Sequence, residues 1–208
     1  MKMKKKLYTL NVLHNIQGTE EQDEIWNEIA HGESHVMVYA GAGTGKTFTI
    51  VQSAKSVNGS KGFLAFNKAI ATELGTKLPS DCEAMTFHSL GFSAIKMQSR
   101  VSKVDNKKVY KIINSVLGKY KSAPALVKLV SLSKSSLVDA SDKESLLSLI
   151  DEYDIEFDGL EDRSTALDYF PTIINNCMDL STVDFDDMIW LPVVMDLPVR
   201  HYDTLFVD

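Results

Sequence analysis

The run Ala40-Gly-Ala-Gly-Thr-Gly-Lys-Thr47, preceded by the apolar His35-Val-Met-Val-Tyr39 and followed by Phe48-Thr-Ile-Val51, decides how this chain is read. It predicts strand, glycine loop, helix. Backbone N–H groups of such a loop, with the helix N-terminus behind it, make a cradle for an anionic triphosphate, which is the P-loop pattern. Ala40 stands where the strict pattern has Gly, and a methyl group still allows close backbone approach. In this pattern Lys46 reaches the β- and γ-phosphates and the Thr47 hydroxyl ligates Mg²⁺. A plain glycine turn between strand and helix would need neither side chain. The candidate nucleotide contacts are therefore Ala40, Gly41, Ala42 and Gly43, continuing through Thr44, Gly45, Lys46 and Thr47.

On the amino-terminal side, Thr19-Glu-Glu-Gln22 opens a helical pattern whose apolar stripe is Ile25, Trp26 and Ile29, and Thr19 and Gln22 have capping-box spacing. Gln22 has a second possible role. One carboxamide can accept from adenine N6 and donate to N7 at once, and the two roles are not exclusive.

Beyond the loop, Asn58-Gly-Ser-Lys-Gly62 is a turn, and Gly62-Phe-Leu-Ala-Phe66 predicts a second buried strand. It leads into a helix over Asn67-Lys-Ala-Ile-Ala-Thr-Glu-Leu74. A third strand at about Cys82 to Thr86 enters Phe87-His-Ser-Leu-Gly91. Alternating strands and helices predict a parallel sheet, whose ligands bind beyond the carboxyl ends of the strands. Ala40 to Thr47, Phe66 to Lys68 and Thr86 to Ser89 are all expected there.

From about Lys96 the pattern turns helical, with stripes such as Val109, Ile112, Ile113, Val116 and Leu117, and Pro171 marks a kink or a helix start. Val183-Asp-Phe-Asp-Asp-Met188 opens a further helix. Consecutive Asp side chains point to different helix faces, so Asp184 reads as a cap, and Asp186 and Asp187 as first-turn acids, rather than as a metal cluster. The chain ends Tyr202-Asp-Thr-Leu-Phe-Val-Asp208, an apolar strand finishing in a carboxylate. That is the form of a Walker B strand, whose Asp208 would hold Mg²⁺ or its water beside the P-loop.

The 208 residues, 44% of them hydrophobic, are enough for a substantial core. No apolar run approaches the roughly 20 residues that span a bilayer. Met1-Lys-Met-Lys-Lys-Lys6 reads as a basic tail, and Leu7 to Leu13 is too short and polar for a signal peptide. Cys82 and Cys177 have neither metal spacing nor a disulfide framework, and a cytoplasmic location is expected. The net charge of −6 conceals segregation. Residues 1–95 hold 9 basic and 9 acidic side chains, 96–134 hold 10 and 1, and 135–208 hold 3 and 18. The middle block can neutralise nucleic-acid phosphates, or it can be a solvated helical face.

Together these stretches resemble the first motor domain of superfamily 1 DNA helicases, the UvrD/Rep class, and within it the F-box-helicase-like branch. Gln22 falls at the adenine-reading Q motif, Ala40 to Thr47 matches motif I, and Leu64-Ala-Phe-Asn-Lys-Ala69 resembles motif Ia. Thr86-Phe-His-Ser-Leu90 resembles the following single-strand-contact motif, and Leu205-Phe-Val-Asp208 the start of motif II. The resemblance implies a RecA-like α/β fold with a parallel sheet flanked by helices over 1–95 and 184–208, and an all-helical 1B-like insertion over 96–183. It implies ATP and Mg²⁺ as cofactors, and single-stranded or fork DNA as the partner, with no membrane. Phe66 would then stack on a base while Asn67, Lys68, Thr86 and His88 lie along the strand; without the resemblance, Phe66 reads as a core aromatic and His88 as a helix cap. The basic insertion would face duplex or displaced strand.

In the family a water-activating Glu follows the Asp of motif II, and a second motor domain supplies arginine fingers worth about 10³ to 10⁵ in rate. The 208 residues alone are thus expected to bind nucleotide and hydrolyse it hardly at all. Lys46 and Asp208 would carry catalysis in the longer protein. A non-catalytic DNA- or partner-binding protein that interferes with a full helicase is the alternative. A P-loop kinase would leave Phe66 to Lys68 and Thr86 to Ser89 unexplained.

Overall fold

The computed structural model describes residues 18–32, 35–99 and 103–208. The basic tail Met1 to Lys6 and the Leu7 to Leu13 segment lie outside the described residues. The elements run α1 (Glu20–His31), α2 (Lys46–Ser56), β1 (Lys61–Ala65), α3 (Lys68–Gly75), β2 (Cys82–Thr86), α4 (Phe87–Gln98) and β3 (Lys103–Val104). They continue with α5 (Lys108–Leu117), α6 (Ala123–Ser136), α7 (Lys143–Glu152), α8 (Leu160–Cys177), β4 (Thr182–Val183), α9 (Asp187–Val194) and β5 (Thr204–Val207). This is a mixed α/β chain with a small parallel sheet flanked by helices. Among the described residues no helix is long and apolar enough to cross a membrane.

Two compact units divide the chain, one formed by the residues up to Phe87 with His201–Asp208, the other by His88–Arg200. The sequence-based boundaries fell at 95/96 and 183/184. α4 and α9 account for the difference, because Ala94 and Ile95 of the former and Met188, Trp190 and Leu191 of the latter are buried, Ile95 and all three α9 residues within the helical core.

In the first unit β1 lies between β2 and β5, with Ala65 opposite Thr86 and Leu64 opposite Val207, all parallel. Each residue of β1 is buried, as a strand with neighbours on both edges and cover on its faces requires. Phe63 stacks on Phe206 with ring centroids 6.4 Å apart, and Val51 and Ala54 of α2 join that core. Ser60 N–H and Oγ–H donate to Asp203 Oδ2 at 2.7 and 2.8 Å, which ties the start of β5 beside that of β1. These bonds, the hydroxyl's first, hold the Asp203 carboxyl below its ordinary range.

The strand expected over His35 to Tyr39 does not form. Those residues are exposed, Met37 at 77% and Tyr39 at 89%, and they join no ladder. β1 is paired on both edges, and neither open edge of the sheet, at β2 or at β5, takes up this segment, so its apolar side chains are buried in no sheet.

The second unit is helical apart from the two-residue parallel ladder of β3 with β4. Ile113, Leu126, Leu129, Leu146, Phe170, Ile173 and Leu191 are fully buried in its core. α8 runs through Pro171 instead of starting there. Gly91 is dictated by packing: a Cβ there would lie 1.8 Å from the Met188 carbonyl oxygen.

This core contains charge. Lys108 Nζ donates to Asp187 Oδ2 at 2.7 Å and to the Cys177 and Asp179 carbonyls at 2.6 and 3.0 Å. Lys134 Nζ donates to Asp187 Oδ1 at 2.7 Å and to Asp184 Oδ2 at 3.1 Å. Burial works to lower the Lys134 pKa, but the negative charges available at Cys177, Asp187 and Asp184 outweigh it and raise the net value. Burial also pushes the neighbouring Cys177 thiol up to about 11. Asp186, expected in the first turn, holds the N-cap position of α9 without a side-chain cap bond, and Asp184, expected as the cap, lies two residues before it with its Oδ1 accepting from Asp187 N–H at 2.8 Å. Asp187 is the first-turn acid of α9, as expected, and it is also a fully buried counterion to two lysines of the basic block. An unpaired charge in such a core would cost several kcal/mol, so those lysines and acids are interior partners and not part of a solvated face.

Candidate functional site

The site begins where α2 begins. Gly43 and Gly45 sit at φ +78° and +84°, a conformation that L side chains rarely adopt, and Gly45 forms the N-cap of α2 without a side-chain cap bond. The first N–H groups of α2 therefore point out of the helix toward the loop, with the positive end of the helix dipole behind them. Ala40, Gly41, Ala42, Gly43 and Thr44 are exposed, as is Thr47. Lys46 Nζ folds over the loop, donating to the Gly41 carbonyl at 2.7 Å and the Ala40 carbonyl at 3.2 Å. Thr44 Oγ–H donates to the Gly41 carbonyl at 2.9 Å.

α1 contributes the second part. Its capping box is complete: Gln22 N–H donates to Thr19 Oγ1 at 3.3 Å and Thr19 N–H to Gln22 Oε1 at 3.0 Å. The same Gln22 carboxamide reaches α2, with Nε2 donating to Thr49 Oγ1 at 2.9 Å. Trp26 is buried and donates its indole N–H to the Thr49 carbonyl at 2.9 Å, which fixes α1 against α2. A cavity of about 620 Å³ opens along α2, lined by Gly45, Thr47, Phe48, Val51, Gln52 and Lys55, with Lys77 beside it. Gln52 Oε1 is a buried oxygen with no hydrogen-bond partner among the described residues.

The third part is the carboxyl edge of the sheet. Because Ala65 pairs with Thr86 and Asp208 N–H donates to the Leu64 carbonyl at 3.1 Å, the segments leaving β1, β2 and β5 emerge at one end. Phe66 is 82% exposed there, which removes the core-aromatic reading. Asn67 is the N-cap of α3, its Oδ1 accepting from Ile70 N–H at 2.9 Å, and Lys68 follows it, exposed. Thr86 is half-buried at the end of β2, and Asp208 is exposed. His88 lies in the second unit, near the start of α4, with its ring edge-to-face with Phe185 at 6.0 Å.

The loop suits a triphosphate, with an N–H cradle, one ammonium group and one exposed hydroxyl at Thr47, and Asp208 offers an exposed carboxylate at the sheet end. Sequence reasoning passed over Thr49, Trp26 and Gln52.

Comparison with known proteins gives two results. The model of the UvrD/REP helicase N-terminal domain family matches residues 21–196. The chain is also similar to F-box DNA helicase 1 from Gallus gallus, 37% identical over 84 residues, a stretch covering 40% of this chain and 8% of that relative. The chain thus spans a small part of the length of the curated relative it matches.

Proposed function

The chain belongs to the UvrD/REP helicase N-terminal domain family, and on that premise we propose that it is the nucleotide-binding motor domain of an ATP-dependent DNA helicase acting on single strands. Lys46 would leave the loop carbonyls to neutralise the β- and γ-phosphates, while N–H groups of the loop and the first turn of α2 hold the remaining oxygens. Thr47 and Asp208 would hold Mg²⁺, which supplies charge neutralisation in phosphoryl transfer. Gln22 would read the adenine edge. Phe66, Asn67, Lys68 and Thr86 would line the strand, Phe66 by stacking and Lys68 by its charge, and His88, which the resemblance gives the same role, belongs to the second unit.

One observation carries this reading. Phe66 stands almost fully exposed immediately after a fully buried strand, and Asp208 ends the neighbouring strand at the same sheet end. A large aromatic so placed gains nothing for the core and suits sequence-tolerant stacking. The complete reaction would require a second motor domain and a water-activating carboxylate besides the residues named here. Titration with a fluorescent ATP analogue tests the proposal. Saturable binding that ATP competes away and Lys46→Ala abolishes is the expected result, and analogue binding unaffected by Lys46→Ala would overturn it.

A further inference from the structure

We propose that Thr49 is a specificity-determining partner of Gln22: together with the Thr19 backbone N–H it holds the carboxamide facing one way and so makes the site select adenine over guanine. The inference rests on the reading of Ala40 to Thr47 as a triphosphate loop with Gln22 as its base reader. A carboxamide by itself selects neither base, because its oxygen and nitrogen ends can exchange by rotation. Adenine presents a donor at N6 and an acceptor at N7, whereas guanine presents acceptors at both O6 and N7. The amide must therefore offer an acceptor and a donor in a fixed order.

The order is fixed by two partners. Thr19 N–H is a backbone donor, so the end of Gln22 that it meets at 3.0 Å must be the oxygen. Thr49 Oγ carries a single proton, and that proton goes to the Gly45 carbonyl at 3.1 Å. The hydroxyl can then only accept from Gln22, so the end 2.9 Å away must be the NH₂. Thr49 is itself held, 6% exposed, with its carbonyl accepting from Trp26 Nε1 and Ser53 Oγ, both at 2.9 Å. After these bonds Gln22 retains one N–H and one oxygen lone pair, the complement of the adenine edge. The Thr49 proton on the Gly45 carbonyl also joins this relay to the glycine that opens α2.

The test measures binding of ATP, GTP and inorganic tripolyphosphate to the 208-residue chain and to Thr49→Val and Thr49→Ser. The unmodified chain is expected to prefer ATP to GTP. Thr49→Val should keep its tripolyphosphate affinity and lose about tenfold of the ATP preference, what one hydrogen bond is worth, and Thr49→Ser should restore it. An unchanged ATP-to-GTP ratio in Thr49→Val, or an equal loss for all three ligands, overturns the proposal and leaves Thr49 a packing residue. Tripolyphosphate binding without any ATP preference in the unmodified chain overturns it while sparing the phosphate loop. Failure of all three ligands to bind overturns the underlying reading as well. Should Thr49→Val not fold, the Gln22 side-chain amide resonances of the unmodified chain decide: ATP but not GTP is expected to move one of the two protons, and equal responses to both nucleotides reject the idea.

Discussion

The helical core and the phosphate-loop end of the sheet unit use lysine in opposite ways. In the core Lys108 and Lys134 are 5% and 2% exposed and locked between Asp184, Asp187 and backbone carbonyls, whereas Lys46 and Lys68 each stand at the open start of a helix. Buried charges committed to interior partners stabilise or specify a fold and cannot meet a ligand. Open ones add little to folding, and their electrostatic energy remains available for phosphate. The consequence is that the basic block of the sequence is not a single interaction surface. Lys108 and Lys134 are interior, and Lys111 and Lys121 face Asp105 and Asp158.

That contrast can be broken most forcefully at Asp187. Asp187→Ala leaves two buried ammonium groups without their shared counterion and is expected to destabilise the helical unit by about 3–5 kcal/mol, read from denaturant midpoints. A loss below about 1 kcal/mol would mean that the network is hydrated and the contrast false. Next in size is Phe66→Ala, expected to weaken single-stranded DNA binding by roughly 1–3 kcal/mol in anisotropy titrations, with the fold unchanged. If Phe66 instead supports the sheet, the loss appears in stability and not in binding.

A pH titration sharpens the comparison further. Folding holds the Cys177 proton up to about pH 11 and raises the Lys134 pKa, so above the ordinary thiol and lysine ranges the folded state keeps protons that the unfolded chain releases. Stability should therefore fall as pH rises from 9 toward 11, and Cys177→Ala should flatten that slope in thermal melts. A slope that Cys177→Ala leaves unchanged would assign the alkaline loss to other groups. The smallest effect on folding is expected at Lys46. Lys46→Ala should stay within about 0.5 kcal/mol of the parent in denaturant stability, since the ammonium only bridges exposed loop carbonyls.

Much of the fold is legible in local pattern. The Thr19/Gln22 box starts α1, Lys46 starts α2, and the strands fall at Lys61–Ala65, Cys82–Thr86 and Thr204–Val207. Each is specified by periodicity, a cap or a glycine within a few residues. His35 to Tyr39 was read wrongly by the same logic, because an apolar run becomes a strand only where a neighbouring strand receives it. The helix-start place of Asp187 was legible, but its role as a buried counterion was not, because its partners lie 53 and 79 residues away, beyond any local window.

The sequence by itself determined the glycine-loop pattern, most of the order of strands and helices along the chain, and the family resemblance, since all three reside in residue types at short spacing. Tertiary structure decided which of those residues are available. It exposed Phe66, buried Lys108 and Lys134 against Asp187, and turned the Gln22 amide with Thr49, because burial and hydrogen-bond partnership depend on contacts between segments far apart in the chain.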